Sequence, residues 1–364
     1  MQAPPLEVRG LCGLRDCWRV CTLLVKLIAN QEPGSGDSES PGRPLNSPMM
    51  IASKVEVLVT VPLLPSLMAA VEGEFTVHKL WLAPDRGAYL QEHGAAIRGI
   101  VTTALVGADA ALMQALPRLE IISGFGVGYE TVDIEAARHR GIIVTNTPGV
   151  LTDCVADTAL ALLLAVTRRI CEADRYVRAG KWLQGRFPLS TKVGGKNCCI
   201  AGLGNVGQAI AARAQAFCMK IGYYDPYPKP DLGYRRYEDL EAMARDADFL
   251  MLALPGGKET DRLIDGHILA CLGRKGILIN VSRGSVLDQE ALVKALTAGT
   301  IAGAGLDVFE NEPQVPAELL KMENVVLTPH LASGTYETRE AMGQLTFANL
   351  HAHFAGSPVL TRVV

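Results

Sequence analysis

From Lys54 onward the chain alternates short apolar runs with segments of helical period. Val55 to Thr60, Thr76 to Leu80, Ile97 to Thr102, Glu120 to Ser123 and Ile142 to Thr145 read as strands. Pro65 to Glu72, Ala108 to Ala115 and Thr131 to Arg140 read as helices between them. After the turn cluster Asn146-Thr147-Pro148-Gly149, Thr152 or Asp153 is placed to cap a helix rich in Ala and Leu that runs to about Gly180. A second series opens at Lys196 to Gly202. Its later strands are expected at Met219 to Tyr224, Phe249 to Ala253, Ile277 to Val281, Ala302 to Asp307 and Val325 to Leu327, with a last helix from Glu337 to Phe354. Alternation of this kind predicts an α/β protein with two doubly wound parallel-sheet domains. Residues 51–150, completed by 334–364, would form one and residues 151–333 the other, with a cleft between them.

The length of 364 residues agrees with two cores rather than one. A hydrophobic content of 49% with 20% charged residues describes a soluble globular chain, and the formal net charge of -3 leaves no cationic excess for a nucleic-acid backbone. One or two placed arginines still suffice for a small anion. The nine cysteines are odd in number, and Cys198, Cys199, Cys218 and Cys271 lie in apolar runs that read as buried, the pattern of reduced cytoplasmic thiols. No Cys/His spacing suggests a metal site. The run Arg15 to Ile28 is too short and too charged to span a bilayer, and Gln31 to Pro48 is rich in Pro, Gly and Ser, so residues 1–50 read as a disordered extension or linker. Met49 and Met50 stand where the functional chain is expected to start.

The strand Asn197 to Ala201 is followed by Gly202-Leu203-Gly204-Asn205-Val206-Gly207 and an Ala-rich helix. Gly202 permits a tight turn, Gly204 lets a pyrophosphate approach the backbone, and Gly207 lets helix pack on strand. Alone, such a motif serves equally as a packing turn. Here the next strand ends at Asp225, an acid able to accept both adenosine ribose hydroxyls and to repel a 2′-phosphate. NAD is therefore expected over NADP, although Asp225 also fits a turn residue before Pro226, and Lys229, Arg235 and Arg236 lie downstream.

Arg283, Glu312 and His330 follow later strands, where doubly wound sheets place ligands. Singly, each fits a surface cation, a solvated loop acid or a structural imidazole. At this point residues 54 to 364 resemble the D-2-hydroxyacid dehydrogenases, through VGADAAL (106–112), SGFGVGYETVD (123–133), VTNTPGVLTDCVADTAL (144–160), GLGNVGQAIA (202–211), INVSRGSVLDQEAL (279–292), AGLDVFENEP (304–313) and LTPHLASGT (327–335). Segments 168–182 and 333–342 are most similar to the glyoxylate and hydroxypyruvate reductase branch.

The resemblance implies that His330 is the acid that protonates the substrate carbonyl, Glu312 the partner that tunes it, and Arg283 the clamp on the 2-oxo acid carboxylate. It implies a second grip on that carboxylate from the Val127 and Gly128 N–H groups. Asn205 and Val206 would contact the pyrophosphate, and Leu254 and Pro255 would line the adenosine side. Val281 and Asp307 would flank the nicotinamide, Asp307 and Ser333 near its carboxamide, with Thr152 facing the cofactor. Tyr129-Glu130 departs from the usual pattern of a hydrophobic residue followed by Asp, and Phe125 replaces a small or polar residue. Trp182 and Phe187 are the aromatic residues that could reach a partner subunit's site.

The activity implied is nicotinamide-dependent reduction of glyoxylate or hydroxypyruvate. D-lactate dehydrogenase, D-3-phosphoglycerate dehydrogenase and a dinucleotide-sensing corepressor-like protein are the alternatives. Thr102-Thr103-Ala104-Leu105 supplies no cation for a phosphate. Hinges are expected at Gly149 to Asp153 and Ala332 to Thr335. The apolar helix from Asp153 to Arg169 suggests a homodimer through the dinucleotide domain. Neither a nucleic-acid nor a membrane partner is expected.

Overall fold

The computed structural model describes residues 54–364, so the expected extension over 1–50 lies outside the described residues. The first series comprises β1 (Glu56–Val59), α1 (Pro65–Glu74), β2 (Thr76–Lys79), α2 (Arg86–His93), β3 (Ile97–Thr103), α3 (Ala110–Gln114), β4 (Ile121–Phe125), α4 (Ile134–His139) and β5 (Ile143–Thr145). These strands form a parallel sheet in the order β2-β1-β3-β4-β5. The second series runs α5 (Thr152–Thr167), α6 (Ile170–Arg178), β6 (Asn197–Ala201), α7 (Asn205–Ala216), β7 (Lys220–Tyr224), β8 (Arg235–Arg236) and α8 (Leu240–Asp246). It continues through β9 (Phe249–Leu252), α9 (Gly266–Leu272), β10 (Ile277–Asn280), α10 (Gln289–Thr297), β11 (Gly303–Leu306), β12 (Val325–Leu327) and α11 (Tyr336–Phe354). Its parallel sheet is ordered β12-β11-β10-β9-β6-β7-β8.

Strand order reverses between β1 and β3 in one sheet and between β6 and β9 in the other. At such a switch the neighbouring crossovers leave in opposite directions, and a crevice opens beyond the carboxyl ends of the strands. Both sheets thus have their switch point at the carboxyl ends of β1 and β3 and of β6 and β9.

The sheets are buried on both faces, as their unbroken apolar runs require. One apolar cluster runs from Val57, Val101 and Ile121 through Val155, Ala159 and Leu163 of α5 to Ile200, Met251 and Ile279. Helix α11 returns to the first sheet, where the Ser123 hydroxyl donates to the Thr346 carbonyl at 2.9 Å. A side chain at Gly99 would stand 3.2 Å from both Leu350 and Phe354, so α11 lies close over β3. The C-terminus covers the open edge of β5, with the Val363 N–H donating to the Val144 carbonyl at 2.7 Å.

Four expectations change. The helix expected to run to Gly180 breaks at Arg168 and Arg169, where Arg169 adopts φ 52 and begins α6. No Gly or Pro marks that break, so the sequence carried no punctuation for it. Neither Thr152 nor Asp153 caps α5. Leu151 occupies the cap position without a side-chain bond, and Thr152 is the first helical residue. The apolar face of α5 is covered within the chain, since Ala156, Ala159, Leu162 and Leu163 are all buried, and its apolarity therefore gives no reason for a dimer. Finally, Cys198 and Cys199 are buried as expected, but Cys218 is exposed and Cys271 half-buried. Cys218 sits in the loop after α7 at φ 58. Cys271 occupies the outer face of α9.

Candidate active site

The glycine corner follows from three steric demands. Gly202 adopts φ +90, and a side chain there would meet the Ala253 carbonyl at 2.6 Å; one at Gly207 would meet the Gly202 carbonyl at 2.1 Å. Gly204 differs, because no heavy atom lies within 4 Å of the place its side chain would take. The N–H groups of Gly204, Asn205 and Val206 find no acceptor among the described residues. Open space before unpaired helix N–H groups fits a pyrophosphate.

Asp225, at the end of β7, is buried, and its Oδ2 accepts the Leu203 N–H at 2.7 Å while Oδ1 accepts the Tyr227 N–H at 2.8 Å. The carboxylate therefore holds the glycine turn as well as the turn before Pro226. Each oxygen keeps lone-pair capacity for a ribose hydroxyl. Leu254 is buried and Pro255 exposed beside this corner.

At the other end, His330 Nδ1 lies 2.7 Å from Glu312 Oε2. Glu312 Oε1 accepts the Phe309 N–H at 3.0 Å. Burial pushes the Glu312 carboxyl upward. Hydrogen bonds from His330 and the Phe309 N–H, with the charges of His330 and Arg283, outweigh it and hold the group below its ordinary value. His330 itself adopts φ 49, a strained conformation fixed by its N–H, which donates to the Asp307 carbonyl at 2.8 Å.

Asp307 is wholly buried. Its Oδ1 accepts the Thr328 hydroxyl at 2.6 Å and the Leu331 N–H at 2.8 Å, and its Oδ2 accepts the Ala332 N–H at 2.9 Å. The side chain expected to meet the nicotinamide carboxamide thus grips the loop that carries His330, and only Oδ2 retains a lone pair for any other donor. Val281 is buried and Ser333 half-buried near the same strand ends.

Arg283 stands across the cleft from the first domain. Its carbonyl accepts from Asn280 Nδ2 at 3.1 Å, and Asn280 Oδ1 accepts both the N–H and the hydroxyl of Ser282 at 3.0 and 2.8 Å. Its Nη1 donates to the Ser282 carbonyl at 2.7 Å. A side chain at Gly128 would fall 2.0 Å from Arg283 Nη2, so this glycine makes room for the guanidinium. The N–H groups of Val127 and Gly128 have no acceptor among the described residues. Asn146 steadies their loop by donating to the Val127 carbonyl at 2.9 Å.

Sequence reasoning missed two positions. Asn280 is a lone polar residue at the end of an apolar strand, a signal that was present. Glu130 was noted only as a departure from pattern. Its Oε1 lies 3.3 Å from Arg283 Nε and 3.2 Å from the Gly256 N–H that donates to it. Phe187 is half-buried and packs on Tyr176 at 5.3 Å beneath Arg169, whereas Trp182 is 68% exposed.

An imidazole backed by a carboxylate and an arginine, both at strand ends of a sheet whose glycine corner leaves helix N–H groups open to a pyrophosphate, belong to an oxidoreductase that works with a dinucleotide. The chain belongs to the D-isomer specific 2-hydroxyacid dehydrogenases. Residues 160–332 match the NAD binding domain of that family, and the enzyme uses NAD or NADP. It is 48% identical to a glyoxylate/hydroxypyruvate reductase A of Arabidopsis thaliana over 85% of this chain and 99% of that one. It is 46% identical to a hydroxyphenylpyruvate reductase of Plectranthus scutellarioides over 85% of this chain and 99% of that one. Among solved structures, an NADPH-dependent glyoxylate/hydroxypyruvate reductase of Sinorhizobium meliloti in complex with NADP and malonate superposes with a TM-score of 0.79. That protein is 42% identical, over 86% of this chain and 97% of its own.

Proposed function

We propose that the protein reduces glyoxylate or hydroxypyruvate to the D-2-hydroxy acid. The observation that carries this reading is the pairing of His330 Nδ1 with Glu312 at 2.7 Å. It fixes the ring and leaves Nε2 to deliver a proton. When bound, the reduced nicotinamide supplies the hydride. His330 protonates the carbonyl oxygen, and the negative charge of Glu312 stabilises the imidazolium beforehand. Arg283 and the unpaired N–H groups of Val127 and Gly128 take the substrate carboxylate and turn the carbonyl towards His330.

The cofactor's pyrophosphate lies over Gly204, Asn205 and Val206 at the turn set by Gly202 and Gly207. Asp225 takes the ribose, which makes NAD the preferred form. Leu254 and Pro255 line the adenosine side, and Val281, Ser333 and Thr152 stand along the nicotinamide end. The halves, residues 51–150 with 334–364 and residues 151–333, close about Gly149 to Asp153 and Ala332 to Thr335, excluding water. The enzyme is a homodimer whose contact includes the exposed Ile170, Val177, Trp182, Leu183 and Leu189. The six described cysteines are free thiols, which suits the reducing cytoplasm.

The test is NADH oxidation with glyoxylate, hydroxypyruvate, pyruvate and phosphohydroxypyruvate in turn. Highest efficiency is expected with the first two, and His330→Ala is expected to remove turnover while cofactor affinity stays near wild type. Cofactor binding with no turnover of any of the four would overturn the reading.

A further inference from the structure

The loop after β4 carries a carboxylate that the mechanism above does not use. Glu130 reaches from the first domain across the cleft, accepts the Gly256 N–H at 3.2 Å and lies 3.3 Å from Arg283 Nε. The fit leaves no slack. A side chain at Gly256 would meet Glu130 Oε1 at 3.2 Å and Arg283 Cγ at 3.0 Å, and one at Gly128 would meet Glu130 Oε2 at 2.5 Å. Glu130 keeps 28% of its side chain exposed, so its charge acts on the cleft from a partly screened position.

The charge arrangement of the cleft follows. His330 is paired with Glu312, and Arg283 with Glu130. Arg339, a cation near the carboxyl end of β4, lies over the Phe125 ring at 5.7 Å. Whatever carboxylate Arg283 binds is held by a guanidinium whose charge is already balanced and whose neighbour is an anion. We propose that Glu130 determines specificity: its carboxylate admits 2-oxo acids with a single negative charge and disfavours those whose tail carries a phosphate or a second carboxylate. A neutral or hydroxyl tail meets no repulsion, and a hydroxyl can donate to Glu130. A second anion adds repulsion from Glu130 to that of the shared carboxylate, and one further unit charge in a partly exposed site changes affinity by about tenfold. This inference rests on the proposed 2-oxo acid reaction.

The experiment compares wild type with Glu130→Gln, which keeps shape and acceptor but removes charge, and with Glu130→Asp as the conservative control. kcat/KM is measured for glyoxylate and hydroxypyruvate against oxaloacetate and phosphohydroxypyruvate. Glu130→Gln is expected to raise the ratio of dianion to monoanion efficiency by about tenfold, with Glu130→Asp close to wild type. A ratio unchanged while both classes fall together would reduce Glu130 to a positioning residue and overturn the proposal. So would a ratio that responds to Arg339→Met and not to Glu130→Gln. Binding of oxamate and oxalate to the enzyme–NADH complex, read by fluorescence, separates this from failure of the proposed reaction. Even without turnover, the preference for the monoanion oxamate should weaken in Glu130→Gln, and an identical preference in both proteins refutes the charge effect.

Discussion

Glu312 Oε2 stands 2.7 Å from His330 Nδ1, with its other oxygen on the Phe309 N–H, so one carboxylate joins the His330 ring to the loop after β11. Because its folded-state pKa lies below the ordinary carboxyl value, its stabilising contribution is complete above about pH 4.3 and is lost as pH falls through the lower folded value. Glu312→Gln should lower Tm at neutral pH, by an amount in keeping with a charged hydrogen bond of roughly 1.5–3 kcal/mol. The gap from wild type should then close on acidification below pH 4. A gap constant from pH 7 to pH 3 would contradict this assignment. The same variant should lower turnover in both directions, since the ring loses the carboxylate that fixes its orientation.

For Arg283→Lys, the expected loss is about tenfold to a hundredfold in kcat/KM, shared between KM and kcat, because an ammonium cannot reproduce the two-pronged grip. Gly128→Ala should show nearly the same kinetics without replacing any charged group. Its added methyl group would fall 2.0 Å from Arg283 Nη2 and displace the guanidinium. Cofactor affinity should be spared in both. Near-native kinetics for Gly128→Ala would show that Arg283 does not work from this position.

Asp225 holds two backbone N–H groups and is proposed to hold the adenosine ribose, and its variants should separate the two roles. Asp225→Ala removes the acceptor for the Leu203 and Tyr227 N–H groups, so it should destabilise the fold by about 1–3 kcal/mol as well as weaken NAD binding. Asp225→Asn keeps an acceptor oxygen and removes the charge that repels a 2′-phosphate. It should retain most of the stability and shift the efficiency ratio towards NADP. Unchanged NAD:NADP discrimination in Asp225→Asn would place cofactor choice elsewhere, with Arg236 the nearest cation, its Nη2 at 3.4 Å from the Asp225 carbonyl.

Much of this architecture was legible because its signals are local. A buried parallel strand such as Ile277–Asn280 is a continuous apolar run, and the glycines at 202 and 207 are required by backbone atoms close in sequence or in the adjacent strand. The positions of Arg283, Glu312 and His330 at strand ends were legible because each follows a recognisable apolar strand. What could not be read were relationships made by tertiary approach. Glu130 lies 153 positions before Arg283 in the chain, and nothing in Gly-Tyr-Glu announces which cation it will meet. Asp307 reads as an acceptor at the nicotinamide, and its bonds to the Leu331 and Ala332 N–H groups come only with the return of the loop after β12. The apolar helix after Gly149 misled for the opposite reason, since apolarity says that a face is covered and not by what.

That ambiguity gives the last prediction its form. Leu163, on α5, is fully buried in the chain's own core, whereas Leu183, after α6, is 95% exposed and Trp182 beside it 68%. Leu163→Ala should therefore cost about 2–5 kcal/mol of folding stability by leaving a cavity, to the same degree at every protein concentration. Leu183→Glu adds a charge where the isolated chain already meets solvent, so its monomer should fold as well as wild type. If the exposed surface from Ile170 to Leu189 is the contact of a dimer, the same charge is desolvated there, and sedimentation should show association weakened by at least about tenfold. Two outcomes count against the surface: wild type sedimenting as a monomer at working concentration, or Leu183→Glu dimerising as tightly as wild type. A concentration-dependent Tm for Leu163→Ala alone would return the dimer contact to α5.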